Sequence, residues 1–257
     1  MYFLQENHVL LRRHVLNAKS PFLSPKKKVV NDWSHHSLVV VLPESGHHLS
    51  SPGTLFNSQT LEKTKWFQAG LQPNVFCLHN RWNGPEVSKL YRNTTKPFYF
   101  SVLRDPVSLL ISLWDYYGVT RKLGMKLERF AVRKIKPNRF RIYDIYLKNT
   151  MLHDFGFNPS DFGNLDVIHT KINEIEETFD LILFVERFAE SMVLLKHSLC
   201  WEYEDLASLK LNSHETRTKT VLSLNAKKQL KIWLKDSYYL YDYFKVNKIS
   251  SIVPYIK

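Results

Sequence analysis

Four short runs along the chain are largely apolar. SLVVVLP (37–43) is β-branched and stopped by proline, NVFCLH (74–79) is shorter, PFYFSVL (97–103) is strongly aromatic, and FDLILFVERF (179–188) ends in charge. Runs of this length, rich in Val, Ile and Phe, predict strands. None alternates apolar with polar, so both faces of each strand are expected to be covered, as in a parallel sheet. Between and after them lie segments of helical length. VSLLISLWDYYGV (107–119) and AESMVLLKHSLCW (189–201) each follow a strand run directly. Residues 121–148 are basic and mixed, helical in part, and NAKKQLKIWLKDSYYLYDYFKV (225–246) has apolar residues at helical spacing. Strands that alternate with helices predict an α/β fold, a central parallel sheet flanked by helices. One domain over 35–257 accommodates all of these elements. Residues 1–34 are poorly defined: Pro21, Pro25 and Lys26–Lys28 read as a loop or arm.

The junction between the third strand run and its helix carries the first candidate chemistry. The run ends at Arg104, followed by Asp105 and Pro106. Asp105 suits a helix N-cap, where a carboxylate accepts from free backbone N–H groups. Pro106 suits the first helical position, where a missing N–H costs nothing. The helix is apolar nearly all round: Val107, Leu110, Ile111 and Trp114 share one stripe, and Leu109 and Leu113 lie opposite. Ser108, Ser112 and Asp115 share the only polar flank. Capping accounts for Asp105 and Pro106 but leaves Arg104 and the serines unexplained. Two readings stay open: a plain strand-to-helix junction, or a phosphate site in which an arginine and a hydroxyl sit beside a helix N-terminus at the carboxyl end of a strand.

Charge narrows the classes of partner. With 36 Lys and Arg against 24 Asp and Glu in 257 residues, the formal charge is +12, which favours anionic partners. No basic-aromatic motif supports nucleic acid among them. Two cysteines, Cys77 and Cys200, exclude a disulfide scaffold and a Cys-rich zinc module. His47, His48 and His79 have no metal-ligand spacing, so no metal is expected. No run approaches the apolar length of a membrane helix. One glycosylation sequon is present, Asn93-Thr94-Thr95.

The pattern strand–Arg-Asp-Pro–x5–Ser–helix resembles the 3′-phosphate element of sulfotransferases that use 3′-phosphoadenosine 5′-phosphosulfate (PAPS). SLVVVLPESGHHLSSPGTLFN (37–57), FCLHNRWN (76–83), LKNTMLHDFGF (147–157), FDLILFVERFAESMVLLKHSLCW (179–201), LKLNS (209–213) and the Tyr-rich last helix resemble, in order, segments of the galactose 3-O-sulfotransferases. That resemblance implies a P-loop NTPase-like sulfotransferase fold and transfer of a sulfuryl group from PAPS to the 3-hydroxyl of a terminal galactose on a glycolipid or glycan. No metal and no nucleic acid are implied. It implies that Arg104 and Ser112 hold the 3′-phosphate and that His79 is the base. Arg81, two residues on in an extended chain, would face the same side and contact sulfate or acceptor, and His47 and His48 would lie near the acceptor sugar. A Golgi membrane setting on the lumenal side, with association through an anchor, is the family's expectation. For His79 the plain alternative is a hydrogen-bonded core histidine.

The resemblance breaks at the loop for the 5′-phosphosulfate, where the family has Lys-Thr-Gly-Ser-Ser-Thr and this chain reads NAKSPFLS (17–24). Lys19 and Ser20 match. The glycine that lets backbone approach a phosphate is absent, and Pro21 removes an N–H. Three explanations follow: sequence missing upstream, a diverged loop that still binds, or an inactive relative that holds nucleotide or glycan without turnover.

Overall fold

The computed structural model describes residues 38–41, 54–61, 68, 75–78, 81–91, 97–133, 147–203 and 220–249. Four strands form one sheet: β1 (Leu38–Val41), β2 (Val75–Leu78), β3 (Phe98–Leu103) and β4 (Leu181–Phe184). Their order is β2-β1-β3-β4, and every pairing is parallel. Nine α-helices occur among the described residues. They are α1 (Gly84–Ser88), α2 (Pro106–Tyr116), α3 (Val119–Leu123), α4 (Leu127–Val132), α5 (Thr150–Asp154), α6 (Leu165–Thr178), α7 (Phe188–Leu199), α8 (Leu224–Trp233) and α9 (Lys235–Ile249). The α/β expectation is met by a parallel sheet with helices on both of its faces.

In β3 and β4 the absence of alternation is explained by that double cover. Along β3, Tyr99 and Leu103 enter one apolar cluster with Ile182 and Phe184 of β4 and with α2, α6, α8 and α9. Phe100 and Val102 enter a second, with Leu183 and with Leu195 and Leu199 of α7. A strand buried on both sides needs apolar residues at both parities. β4 is shorter than its apolar run. Asp180 accepts the Tyr99 N–H at 2.8 Å and donates its own N–H to the Tyr99 carbonyl at 2.8 Å, which starts the ladder at Leu181. At the other end, Ser191 exchanges both backbone hydrogen bonds of Phe184 at 3.0 Å, so residues 185–187 turn away as a single 3₁₀ turn.

The helix after β3 forms as its sequence demands. Asp105 is the N-cap and accepts the Ser108 N–H at 2.9 Å, with Pro106 in the first turn. Leu109, Leu110, Leu113 and Trp114 are all buried, as an all-round apolar helix requires. The C-terminal segment departs from its single predicted helix. It breaks at Leu234, and beyond a shared contact with α2 its two parts have different neighbours: α8 packs on α4, whereas α9 packs on α5, α6 and β4. The turn lets Ala226 and Leu230 face one set of neighbours while Leu240, Tyr241 and Phe244 fill the core beside the sheet.

The strand order places a reversal between β1 and β3: the chain leaves β1 to add β2 on one side, then crosses to add β3 on the other. In open parallel sheets the carboxyl ends of two such strands flank a crevice for ligands. In register, Val41 is level with Leu78 and Ser101, and β3 continues to Leu103, level with Phe184. Arg104 therefore leaves the sheet at the carboxyl end beside the reversal.

Candidate functional site

Arg104 is half-buried, and among the described residues its guanidinium makes no hydrogen bond or ion pair. Burial pushes its pKa below the ordinary arginine value, and the charges of Glu186 and then Asp105 oppose that shift. A cation kept from water and given no donor–acceptor partner is costly. Planar N–H donors in that state are suited to an incoming oxyanion. Ser112, eight residues on and partly exposed on α2, likewise has no hydroxyl partner among the described residues. The two residues matched to the 3′-phosphate element are thus uncommitted among the described residues.

The helix N-terminus itself is not available. Pro106 has no N–H, the Tyr238 hydroxyl stands near the Val107 N–H, Asp105 Oδ1 takes that of Ser108, and the Asp105 carbonyl takes that of Leu109 at 2.8 Å. An anion at this junction would be held by side chains rather than by free backbone donors, a refinement of the helix-terminus picture drawn from the sequence.

Around Arg104 lies a network that periodicity does not reveal. The second carboxylate oxygen of Asp105 accepts the Tyr238 hydroxyl at 2.9 Å. Glu186, just past β4, accepts the Asp105 N–H at 2.8 Å through Oε1 and the Tyr241 hydroxyl at 3.1 Å through Oε2. Burial, reinforced by these carboxylates, raises both phenol pKa values, so the hydroxyls stay protonated donors. The only sequence signal for the pair is the i, i+3 spacing of two tyrosines in a Tyr-rich helix.

Arg81 occupies a different place from an open substrate contact. It is buried, donates from Nε to the His153 carbonyl at 3.0 Å and from Nη2 to the Phe157 carbonyl at 2.6 Å, and pairs as a parallel bridge with Leu55. Its backbone accepts from Phe56 and donates to Thr54. Arg81 therefore ties the 54–56 segment to the end of α5. Lys19, Ser20, His47, His48 and His79 lie outside the described residues; His79 follows Leu78, the last residue of β2, in the chain.

The α5 anchor has its own pH signature. His153 is buried, and burial, followed by the charge of Arg81, lowers its pKa from 6.5 to about 4. The unfolded chain takes up a proton below pH 6.5 that the fold refuses. Its contribution to stability is therefore complete above that value and is lost as the pH falls towards 4. The loss should reach about 2 kcal/mol after allowance for partial solvent screening. Urea unfolding at pH 7 and pH 4.5 should show a smaller drop in midpoint for His153→Gln than for the unaltered chain. Equal drops would mean that His153 is not the group responsible.

Among the described residues no cluster of three or more His, Cys, Asp or Glu could hold a metal, and no helix is long and apolar enough to cross a membrane. Cys200 closes α7 with φ +53° and a free, exposed thiol.

A family model described as galactose-3-O-sulfotransferase matches residues 31–252. Galactose-3-O-sulfotransferase 2 of Mus musculus is 34% identical over 217 residues, covering 81% of this chain and 54% of that protein. The Homo sapiens protein of that name is 33% identical, covering 81% and 52%. Galactosylceramide sulfotransferase of Homo sapiens is 32% identical, covering 82% and 50%. The chain thus spans about half the length of the curated relatives it matches. The family match runs from before β1 to the end of α9 and includes the Arg104 junction and both tyrosines. On this footing the chain belongs to the galactose-3-O-sulfotransferase family.

Proposed function

We propose that this chain transfers a sulfuryl group from PAPS to the 3-hydroxyl of a terminal galactose on a glycolipid or glycan, on a P-loop NTPase-like sulfotransferase fold at the lumenal side of the Golgi membrane. The observation that carries the reading is Arg104: a half-buried cation without a partner among the described residues, at the carboxyl end of a parallel strand beside the sheet's reversal. With Ser112 it fits a phosphate dianion, and a 3′-phosphate separates PAPS from adenosine nucleotides phosphorylated at the 5′ position alone. Sulfotransferase in the names of the relatives supports the reaction class.

In this reading His79 accepts the proton of the galactose 3-hydroxyl as O3 attacks sulfur. The sulfur–oxygen bond to the 5′-phosphate breaks in line, and its electron pair leaves with adenosine 3′,5′-bisphosphate. Arg104 and Ser112 orient the nucleotide through its 3′-phosphate, while Lys19 and Ser20 stand on the 5′ side, where charge builds on the leaving phosphate. His47 and His48 line the acceptor side. Arg81 acts through its brace to α5, by fixing the chain two residues after His79.

The test is transfer of radiolabelled sulfate from PAPS to a β-galactoside. Turnover is expected to fall at least about 100-fold in His79→Ala, the loss of a general base. Folded protein without turnover, but with a melting temperature raised by adenosine 3′,5′-bisphosphate, would overturn the transferase and leave a nucleotide-binding relative, the outcome suggested by Pro21 in NAKSPFLS. Neither turnover nor stabilisation would overturn both.

A further inference from the structure

Two carboxylates flank Arg104, yet neither forms an ion pair with it. A guanidinium and a carboxylate at a half-buried site ordinarily join through parallel N–H···O bonds. Here all four carboxylate oxygens are already engaged: those of Asp105 by the Ser108 N–H and the Tyr238 hydroxyl, those of Glu186 by the Asp105 N–H and the Tyr241 hydroxyl. Two of these donors are backbone groups of the junction itself. The other two are phenols one helical turn apart on α9, at contacts that span 133 and 55 residues of sequence.

We propose that Tyr238 and Tyr241 are positioning residues. By hydrogen bonding Asp105 and Glu186, they keep both carboxylates from engaging Arg104 and so reserve its N–H donors for the 3′-phosphate of the nucleotide. The inference rests on the reading of Arg104 as the phosphate-binding residue.

A neutral hydroxyl suits this task. It satisfies a carboxylate oxygen without bringing a second cation to compete for the phosphate. The carboxylates, held in place, still favour the charged guanidinium through space. The helix that carries the phenols is fixed by the core, with Leu240 and Phe244 fully buried and Tyr241 packed edge-on against Phe184 at 5.8 Å. The nearby lysines lie over ring faces, Lys231 over Tyr238 at 5.6 Å and Lys245 over Tyr241 at 5.3 Å. Asp242 is the remaining acid that acts on both phenols.

The test compares adenosine 3′,5′-bisphosphate with adenosine 5′-phosphate, which lacks the 3′ group, by calorimetry on the full chain. Tyr238→Phe with Tyr241→Phe is expected to weaken the bisphosphate about 10-fold and to leave the monophosphate unchanged. Adding Asp105→Asn to Tyr238→Phe should recover most of that variant's loss, because asparagine still caps α2 but offers Arg104 no charge. Unaltered bisphosphate affinity in the double variant, where Arg104→Ala has lost it, overturns the inference and leaves the reading of Arg104 standing. Retained affinity in Arg104→Ala overturns that reading, and the inference with it. A lowered melting temperature with equal loss of both nucleotides and no recovery by Asp105→Asn assigns the tyrosines to stability alone and overturns the inference.

Discussion

Arg104→Ala is expected to weaken binding of adenosine 3′,5′-bisphosphate about 100-fold while leaving the melting temperature unchanged or higher. The two effects have one cause. In the fold, Arg104 is half-buried and makes no hydrogen bond among the described residues, and burial outweighs the help of Glu186 and Asp105. A base whose pKa is depressed on folding has a charged form that the fold disfavours, so removing the charge removes a cost. The four carboxylate oxygens keep their other donors, so alanine does not strand them. If Arg104 holds the 3′-phosphate as proposed, the bound phosphate would lose two charge-assisted hydrogen bonds, together about 3 kcal/mol, which is about 100-fold in affinity. Arg104→Lys keeps the charge but not the planar fork and should fall between, about 10-fold weaker. Titration of each variant, with thermal melting of the free protein, reads both quantities. A clear loss of stability in Arg104→Ala would show that the guanidinium braces the junction, and the phosphate role would lose its support. Functional residues that cost the fold and return binding follow the familiar trade between stability and activity.

That contrast also explains which parts of the molecule were legible in the sequence. The β3–α2 junction was readable because every contributing group is local: Asp105 caps Ser108 three residues on, and Pro106 supplies the first turn. Strands β3 and β4 were readable because burial on both faces leaves an apolar run with no alternation. Helix α6 was missed, although Asn164 at its N-cap and Ile168, Ile172 and Ile175 on one side were a sufficient signal. The strand over 179–188 was drawn too long because hydrophobicity does not show where hydrogen bonds stop. Asp180 and Ser191 set those limits through side chains. Nothing local could reveal that Tyr238 meets Asp105 or that Arg81 turns inward to α5, since these contacts join segments 133 and 72 residues apart.

The Arg81 brace leads to the largest expected loss of stability, in Gly156→Ala. Gly156 follows α5 and ends it in a left-handed turn at φ +89°. Its N–H donates to the His153 carbonyl at 3.0 Å and that of Phe157 to the Leu152 carbonyl at 3.1 Å, the paired closure of a Schellman motif. Leu152 and Phe157, both buried, stand at the two positions whose apolar contact accompanies the motif. An L residue at this φ is strained by about 1 kcal/mol. A Cβ there would also stand 2.5 Å from the Trp82 carbonyl oxygen, a backbone atom with no room to rotate aside. Moving Trp82 breaks its N–H bond to the Asp154 carbonyl at 2.6 Å and drags on Arg81, whose side chain bonds the same turn through His153 and Phe157. Strain and broken backbone bonds together should cost about 4 kcal/mol, roughly a 10 °C fall in melting temperature for a chain of this size. Gly163→Ala supplies the control. Its φ is +86°, but a Cβ there meets nothing within 4 Å, so only the conformational cost of about 1 kcal/mol applies. Similar losses in the two variants would show that the approach to Trp82 is not what fixes the turn. A much larger loss in Gly156→Ala, accompanied by lower turnover in the folded fraction, would tie the α5 turn to the chain segment that carries His79.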